Sequence, residues 1–344
     1  APQTFTINVN NVNDAPVFTV PASAPASLED GGAQTVPAFA TGIDDGDPPV
    51  VQNLSFNVTG NTNPGLFVVA PAIDATTGNL TYTTAPDANG SASITVVLMD
   101  DGGTAFGGVD TSPPQSFAIN VTAVNDVPAF TVGPNPSVLE NAGAQSVNPW
   151  ATALSTGPAD EAAQTLSFNI TGNTNPALFS AGPSVAANGA LTYTPATDTV
   201  GTATLTLNVM DNGGTANGGV DTSATQNFTI TVNNVNDAPT FVIASPPPAS
   251  LEDAGAQNVA AFATAIDDGD TSVVQNLTFN VTGNTNPALF AAGPAIDATS
   301  GNLTYTAAPN ANGSASITVV LMDDGGTAFG GIDTSAPQNF TINV

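Results

Sequence analysis

The chain has 344 residues, of which 41% are hydrophobic, and it sets 28 Asp plus Glu against no Lys, Arg or His, a formal net charge of −28. That apolar content supports packed domains rather than an acidic disordered tail, while the lack of any cationic side chain excludes counterion-release binding to nucleic acid and attraction to anionic lipid. With no Cys either, there is no imidazole base, reactive amine, thiolate or disulfide, and no apolar run of about 18 residues marks membrane insertion.

In chain order, Ala1-Pro2-Gln3-Thr4-Phe5-Thr6-Ile7-Asn8-Val9 comes first and returns almost unchanged as Ala336-Pro337-Gln338-Asn339-Phe340-Thr341-Ile342-Asn343-Val344. Its apolar alternation predicts a strand, read as the last strand of a preceding module over residues 1–11. The chain is then a window in a longer array. The alternative is that residues 4–9 complete a sheet in a neighbouring copy, making a fibre subunit that polymerises by strand complementation.

Val12-Asn13-Asp14-Ala15-Pro16 follows and recurs as Val124-Asn125-Asp126-Val127-Pro128 and Val235-Asn236-Asp237-Ala238-Pro239, at steps of 112 and 111 residues. A fixed period of domain length predicts tandem modules over residues 12–123, 124–234 and 235–344. Within the first module, Leu54-Ser55-Phe56-Asn57-Val58, Leu80-Thr81-Tyr82-Thr83, residues 92–98 and residues 117–121 alternate as strands, with a turn cluster at residues 74–79. No helical stripe competes. The expected core anchors are Phe39, Trp150 and Phe262; Leu66-Phe67, Leu178-Phe179 and Leu289-Phe290; Tyr82, Tyr193 and Tyr305; and Met99, Met210 and Met322. About seven strands in about 110 residues predict an all-β chain of tandem Ig-like, antiparallel Greek-key β-sandwich domains in an extended array.

The acids cluster as Glu29-Asp30, Asp44-Asp45-Gly46-Asp47, Asp100-Asp101-Gly102-Gly103 and Asp110, and the third module repeats them from Glu252-Asp253 to Asp333. Singly, each is ordinary turn chemistry. Together they repel without a cationic side chain to relieve them, and hard oxygen donors in loops are what Ca²⁺ selects. The spacing does not fit an EF-hand, because no Glu closes a twelve-residue loop after Asp44 or Asp100.

The order of these motifs resembles cadherin repeats. An early Glu is followed by Ala-Thr-x-x-Asp-Asp-Gly-Asp with Asn-Leu-x-Phe, then Thr-Gly-Asn-Leu, Met-Asp-Asp-Gly-Gly and a closing Val-Asn-Asp-x-Pro. The nearest likeness is to the bacterial cadherin-like tandem repeats of large surface proteins and adhesins. The resemblance implies Ca²⁺ between modules. At the first joint it would be held by Asn13, Asp14, Asp45, Asp47 and Asp100, and at the second by Glu29, Asn125 and Asp126 with Asp211. At the third, Glu140, Asn236 and Asp237 would act with Asp268, Asp270 and Asp323; Glu252 is the third module's copy of the early Glu. Two departures stand out. The mid-module Asp-Arg-Glu motif has no counterpart, since Arg is absent and Asp87 becomes Asn310. The second module reads Ser155-Thr156-Gly157-Pro158-Ala159-Asp160-Glu161 in place of the acidic loop, so its joint should be the weakest or should use Asp160 and Glu161.

The implied function is structural and non-catalytic: an extracellular or cell-surface stalk, adhesin or filament rigidified by Ca²⁺ at its joints. Its partners would be neighbouring modules of the same chain and identical chains in a fibre. A glycan- or surface-binding module contacting through residues 102–108 is the alternative. Sequons such as Asn57-Val58-Thr59 and Asn280-Val281-Thr282 read as polar sheet faces.

Overall fold

The computed structural model describes residues 2–48, 50–243, 245–271 and 273–344; Ala1, Pro49, Ala244 and Ser272 lie outside the described residues, so the first letter of the terminal repeat does too. All regular structure among the described residues is strand or short 3-10 turn. The chain divides into two compact units. One runs up to Thr131 with residues 153–168 and 208–224, and the other takes residues 132–152, 169–207 and 225–344. The first and second joints lie in the first unit and the third joint in the second, while strands of the middle repeat run through both.

The first repeat holds β1 (Val17–Thr19), β2 (Ser27–Leu28), β3 (Ala33–Val36), β4 (Thr41–Asp44), β5 (Ser55–Asn61), β6 (Phe67–Ile73), β7 (Leu80–Thr84), β8 (Gly90–Met99) and β9 (Gln115–Thr122). Their sheets are β1-β4, β3-β7-β6 and β2-β9-β8-β5. Nine strands stand where seven were expected because two runs are divided between sheets: Pro21 and Pro25 cannot donate to a ladder, so the chain leaves β4 after β1 and joins β9 as β2, and β3 pairs with β7 while β4 pairs with β1. The pairing of β2 with β9, Ser27 opposite Val121, is parallel, an exception to the antiparallel expectation. The three- and four-stranded sheets face each other across one core, where Tyr82, Leu80 and Leu66 meet Ile94, Val96, Leu98, Phe117 and Ile119. Phe39 closes edge-on against Phe117 at 4.7 Å.

The middle repeat holds β10 (Ala129–Thr131), β11 (Ser137–Leu139), β12 (Gln145–Val147), β13 (Thr152–Ser155), β14 (Ser167–Asn173), β15 (Phe179–Val185), β16 (Leu191–Pro195), β17 (Gly201–Met210) and β18 (Gln226–Asn233). Its sheets repeat the order, as β10-β13, β12-β16-β15 and β11-β18-β17-β14. Trp150 is fully buried, lies 4.3 Å from the Phe228 ring and donates its indole N–H to the Pro134 carbonyl at 2.9 Å. The third repeat holds β19 (Thr240–Ile243), β20 (Ala256–Val259), β21 (Ala263–Asp267), β22 (Thr278–Asn284), β23 (Phe290–Ile296), β24 (Leu303–Ala307), β25 (Ser314–Met322) and β26 (Gln338–Asn343). Among the described residues no strand stands where β2 would be, and there the Ser250 N–H donates to the Asn343 carbonyl at 3.0 Å.

Most expected anchors are core, but the methionines are not. Met99, Met210 and Met322 are only half-buried, because along each long strand the residue just before the Met is the one that faces inward. Residues 2–16 form no strand despite their alternation: Phe5, Ile7 and Val9 lie 84%, 72% and 89% exposed, with no ladder partner among the described residues.

Two turns fix the loops that matter below. Asp74 accepts backbone N–H bonds from Thr76 and Thr77 at 3.1 and 2.7 Å, and the turn closes on Gly78 at φ +69°, where an added Cβ would meet the Ala40 carbonyl oxygen at 2.2 Å. After each long strand a Gly-rich loop carries a residue in the left-handed region, Phe106 at φ 55°, Asn217 at 57° and Phe329 at 57°. In the first repeat that loop is pinned by Asp101, which accepts from the Asn53 backbone N–H at 2.8 Å and from its amide at 2.6 Å.

Candidate metal centre

Each joint begins with its Asn. At the first, Asn13 is buried and its amide donates to Asp100 Oδ1 and to the Val109 carbonyl, both at 2.8 Å. Its own oxygen accepts from Gln52 Nε2 at 2.6 Å, and the same Nε2 reaches Asp47 Oδ2 at 2.9 Å. Asp47 is buried and also accepts the Asp14 N–H at 3.0 Å, while Asp45 is spent on its own loop, taking N–H groups from Asp47 and Gln52 at 3.2 and 2.8 Å. The Asp14 side chain itself is exposed. Gly102 is required by this packing, since a Cβ there would fall 2.0 Å from the Asn13 oxygen.

The third joint repeats the pattern. Asn236 donates to Asp323 Oδ1 and to the Ile332 carbonyl, both at 2.9 Å, and accepts from Gln275, which also bonds Asp270. Asp268 takes the Asp270 and Gln275 N–H groups at 3.3 and 2.8 Å, and Asp237 is half-buried beside them. From the preceding repeat comes Glu140, buried, accepting the Val235 N–H at 2.7 Å.

The second joint differs in the loop where its sequence differs, over residues 155–161. Asn125 bonds Asp211 and the Val220 carbonyl at 3.0 and 2.9 Å, with Gln164 donating to it at 2.8 Å. The partner of the Asp126 N–H, at 2.8 Å, is Glu161, buried at the end of a 3-10 turn over Ala159–Glu161. Glu161 therefore takes the place of Asp47 and Asp270, the longer side chain making up for the different loop. Asp160 is exposed and instead accepts from Asn89 at 2.6 Å. Asn89 also donates to Glu29 at 3.0 Å, and Glu29, buried, accepts the Val124 N–H. Carboxylate oxygens of Asp30, Asp87 and Asp126 lie within 4.8 Å of one another. A polar cavity of about 230 Å³ opens between Asn89, Val124, Asp160, Glu161 and Gln164. Asp87 and Asn89 both come from the loop between β7 and β8. At the third joint Asn141 stands for Asp30 and bonds Asp198 at 2.9 Å.

Among the described residues Glu252 joins no cluster: it is exposed, whereas Glu29 and Glu140 are buried and accept the N–H groups of Val124 and Val235.

One property unites the joints. Asp100, Asp211 and Asp323 each keep one carboxylate oxygen buried without any donor, and Gln52, Gln164 and Gln275 each keep a buried amide oxygen in the same condition; Glu161 adds another. A buried acceptor without a donor costs about 1–3 kcal/mol, more when charged. Electrostatics deepen the imbalance. Asp126 is held above the usual carboxylate range by burial, then by Asp30, Asp87, Glu29 and Asp160. Burial likewise raises Glu161, Glu140 and Asp270, each with neighbouring carboxylates adding to the effect. Oxygen acceptors from Asp, Glu, Asn and Gln, converging in excess of donors, form the donor set of a hard divalent cation, so the residues present fit Ca²⁺.

The fold is a tandem of β-sandwich repeats and is cadherin-like. Mouse cadherin-23 EC22-24 is similar over 96% of this chain and 98% of its own, with a TM-score of 0.51 at 19% identity. Human CDH23 EC21-23 is similar over 96% and 100%, with a TM-score of 0.52 at 15% identity. No protein-family model and no curated sequence matches the chain. At these identities the likeness establishes the fold.

Proposed function

We propose that the chain is a non-catalytic spacer of an extracellular surface protein, of the bacterial stalk or adhesin kind its sequence resembles, stiffened by Ca²⁺ at its joints. The observation that carries this reading is the recurrence of donorless buried oxygens on the same Asp and the same Gln at every joint. Asn13, Asp47, Asp100 and Gln52 would hold the cation at the first joint. At the second, Glu29, Asp30, Asp87, Asn125, Asp126, Glu161 and Asp211 would serve; at the third, Glu140, Asn236, Asp237, Asp270 and Asp323. Asp14, Asp45, Asp160 and Asp268 are neighbours that shape these loops.

The bound ion would supply the positive charge that the sequence lacks. The chain's own residues do the rest: the Asn amides tie each joint to the loop after the long strand, and Glu29 and Glu140 tie the preceding repeat to it through backbone N–H groups. Extracellular Ca²⁺ modules bind at roughly 10⁻⁴ to 10⁻³ M, matched to millimolar surroundings. The test is titration calorimetry with a parallel thermal melt in Ca²⁺ and in excess EGTA, and scattering to follow the spread of maximum dimensions. Heat of binding, a higher melting temperature and a narrower spread support the reading. No heat and no shift would leave the acids as solvated turns and sink it.

A further inference from the structure

We propose that the exposed loops beside the joint Asn of the first and third repeats are docking surfaces for a cationic, apolar segment of another protein, anchored on Phe106 and Phe329 and held by Asp101 and Asp324. The proposal stands apart from the cation reading. It begins from residues that stability alone would not select. Phe106 and Phe329 sit at φ 55° and 57°, in the left-handed region that disfavours bulky side chains, and lie 81% and 77% exposed. Backbone strain and an aromatic ring left in water both work against them, and at that exposure little packing offsets either.

Each Phe belongs to a wider surface. The Val109 N–H donates to the Asn13 carbonyl at 2.9 Å, Gln52 donates to the Asn13 side chain at 2.6 Å, and Asp101 accepts from both the backbone and the amide of Asn53. One network thereby brings Val51 and Val109, 91% and 48% exposed, to the loop that carries Phe106. In the third repeat Ile332, Gln275 and Asp324 make the same bonds to Asn236 and Asn276, with Val274 and Ile332 97% and 54% exposed. That repeat follows a complete one in the sequence, so the exposure of its loops does not come from the start of the chain.

The middle repeat builds the same scaffold without the surface. Gln164 donates to Asn125, the Val220 N–H to the Asn125 carbonyl and the Thr165 N–H to Asn212, and Asn217 keeps a φ of 57°. Val220 remains where Val109 and Ile332 stand, but Ala162-Ala163 replace the paired Val, Asn217 replaces the Phe, and Asn212 replaces Asp101 and Asp324. The ring, the paired Val and the charge are present together or absent together, on a backbone that admits either set. That linkage gives the partner's chemistry: apolar side chains to cover Val and Phe, and a cation to meet the carboxylate. The partner is a different protein, because this chain has no Lys, Arg or His and two copies would set −28 against −28.

The probe is a synthetic peptide alternating Arg with Leu, followed by fluorescence anisotropy against the full chain in Ca²⁺ and in EGTA, with a peptide of equal charge bearing Ser for Leu as control. One peptide should bind per outer repeat in both buffers, more weakly as salt rises. Phe106→Asn with Phe329→Asn, the residue the middle repeat carries at the same φ, should weaken binding about tenfold or more. Asp101→Asn with Asp324→Asn should weaken it and reduce its salt dependence. Conversely, Ala162→Val, Ala163→Val, Asn212→Asp and Asn217→Phe together should add one bound peptide per chain. Equal binding of the control peptide, an affinity unmoved by the Phe substitutions, or no binding at all overturns the proposal.

Discussion

Glu140→Gln separates the two roles a joint carboxylate can have. Glu140 is buried, accepts the Val235 N–H at 2.7 Å, and is held above the usual carboxylate range by burial and by Asp270, Asp237 and Asp198. Glutamine keeps the shape and an acceptor oxygen but removes the charge. In EGTA the weaker hydrogen bond and the release from desolvation and repulsion act in opposite directions, so stability should move far less than in Ca²⁺. In Ca²⁺ the balance changes. At about 1 mM ion and a Kd near 10⁻⁴ M a site contributes about 1.4 kcal/mol, and losing a charged ligand, which weakens binding by about tenfold or more, removes most of it. That corresponds to roughly 4–8 °C in a domain of this size, seen only when Ca²⁺ is present. The assay is a pair of thermal melts, with and without EGTA, on the wild-type and substituted chains. An equal drop in both buffers would refute the reasoning, because Glu140 would then be holding Val235 and nothing else.

Three further outcomes follow from the geometry. In EGTA the groups raised in the folded state, Asp126, Glu140, Glu161 and Asp270, give stability that is complete below their unfolded pKa values and lost as pH rises through the folded ones. Metal-free melting temperature should therefore fall as pH climbs out of the ordinary carboxylate range, and Ca²⁺ should reverse that slope; a metal-free melt that rises over this window contradicts it. Gly78→Ala sets a Cβ 2.2 Å from the Ala40 oxygen at φ +69° and should cost about 2–3 kcal/mol by urea denaturation, whereas Gly103→Ala, at φ +79° with nothing within 4 Å, should cost about 1. Trp150→Ala removes the largest fully buried side chain and should cost about 3–5 kcal/mol in the same assay.

The sandwich was legible because alternation and anchors repeat together: where Tyr82 has counterparts at Tyr193 and Tyr305, all three are buried. The joints were legible for a related reason. Asn13 and Asp100 lie 87 positions apart, but each belongs to a motif that recurs, and the recurrence pairs them. What escaped was whatever depended on the path between motifs. Asn89 and Asp87 contribute from a loop that changes in every repeat. The break in the first strand needed Pro21 and Pro25 to be read as a change of sheet and not as a plain turn. The alternation of residues 3–9 correctly describes a strand's chemistry, but a ladder needs a partner that no pattern within the segment can supply.

The loop after each long strand shows backbone and side chain separated. Phe106, Asn217 and Phe329 share one left-handed conformation, with φ equal to within two degrees, although Asn suits that region and Phe does not. Flanking glycines, together with the Asp101 clamp and its Asp324 equivalent in the outer repeats, hold the shape, leaving the tip residue 81% exposed at Phe106 and 77% at Phe329. Such a position is interchangeable: evolution, or an engineer, can exchange the tip and alter what the repeat displays while its core and joints stay as they are.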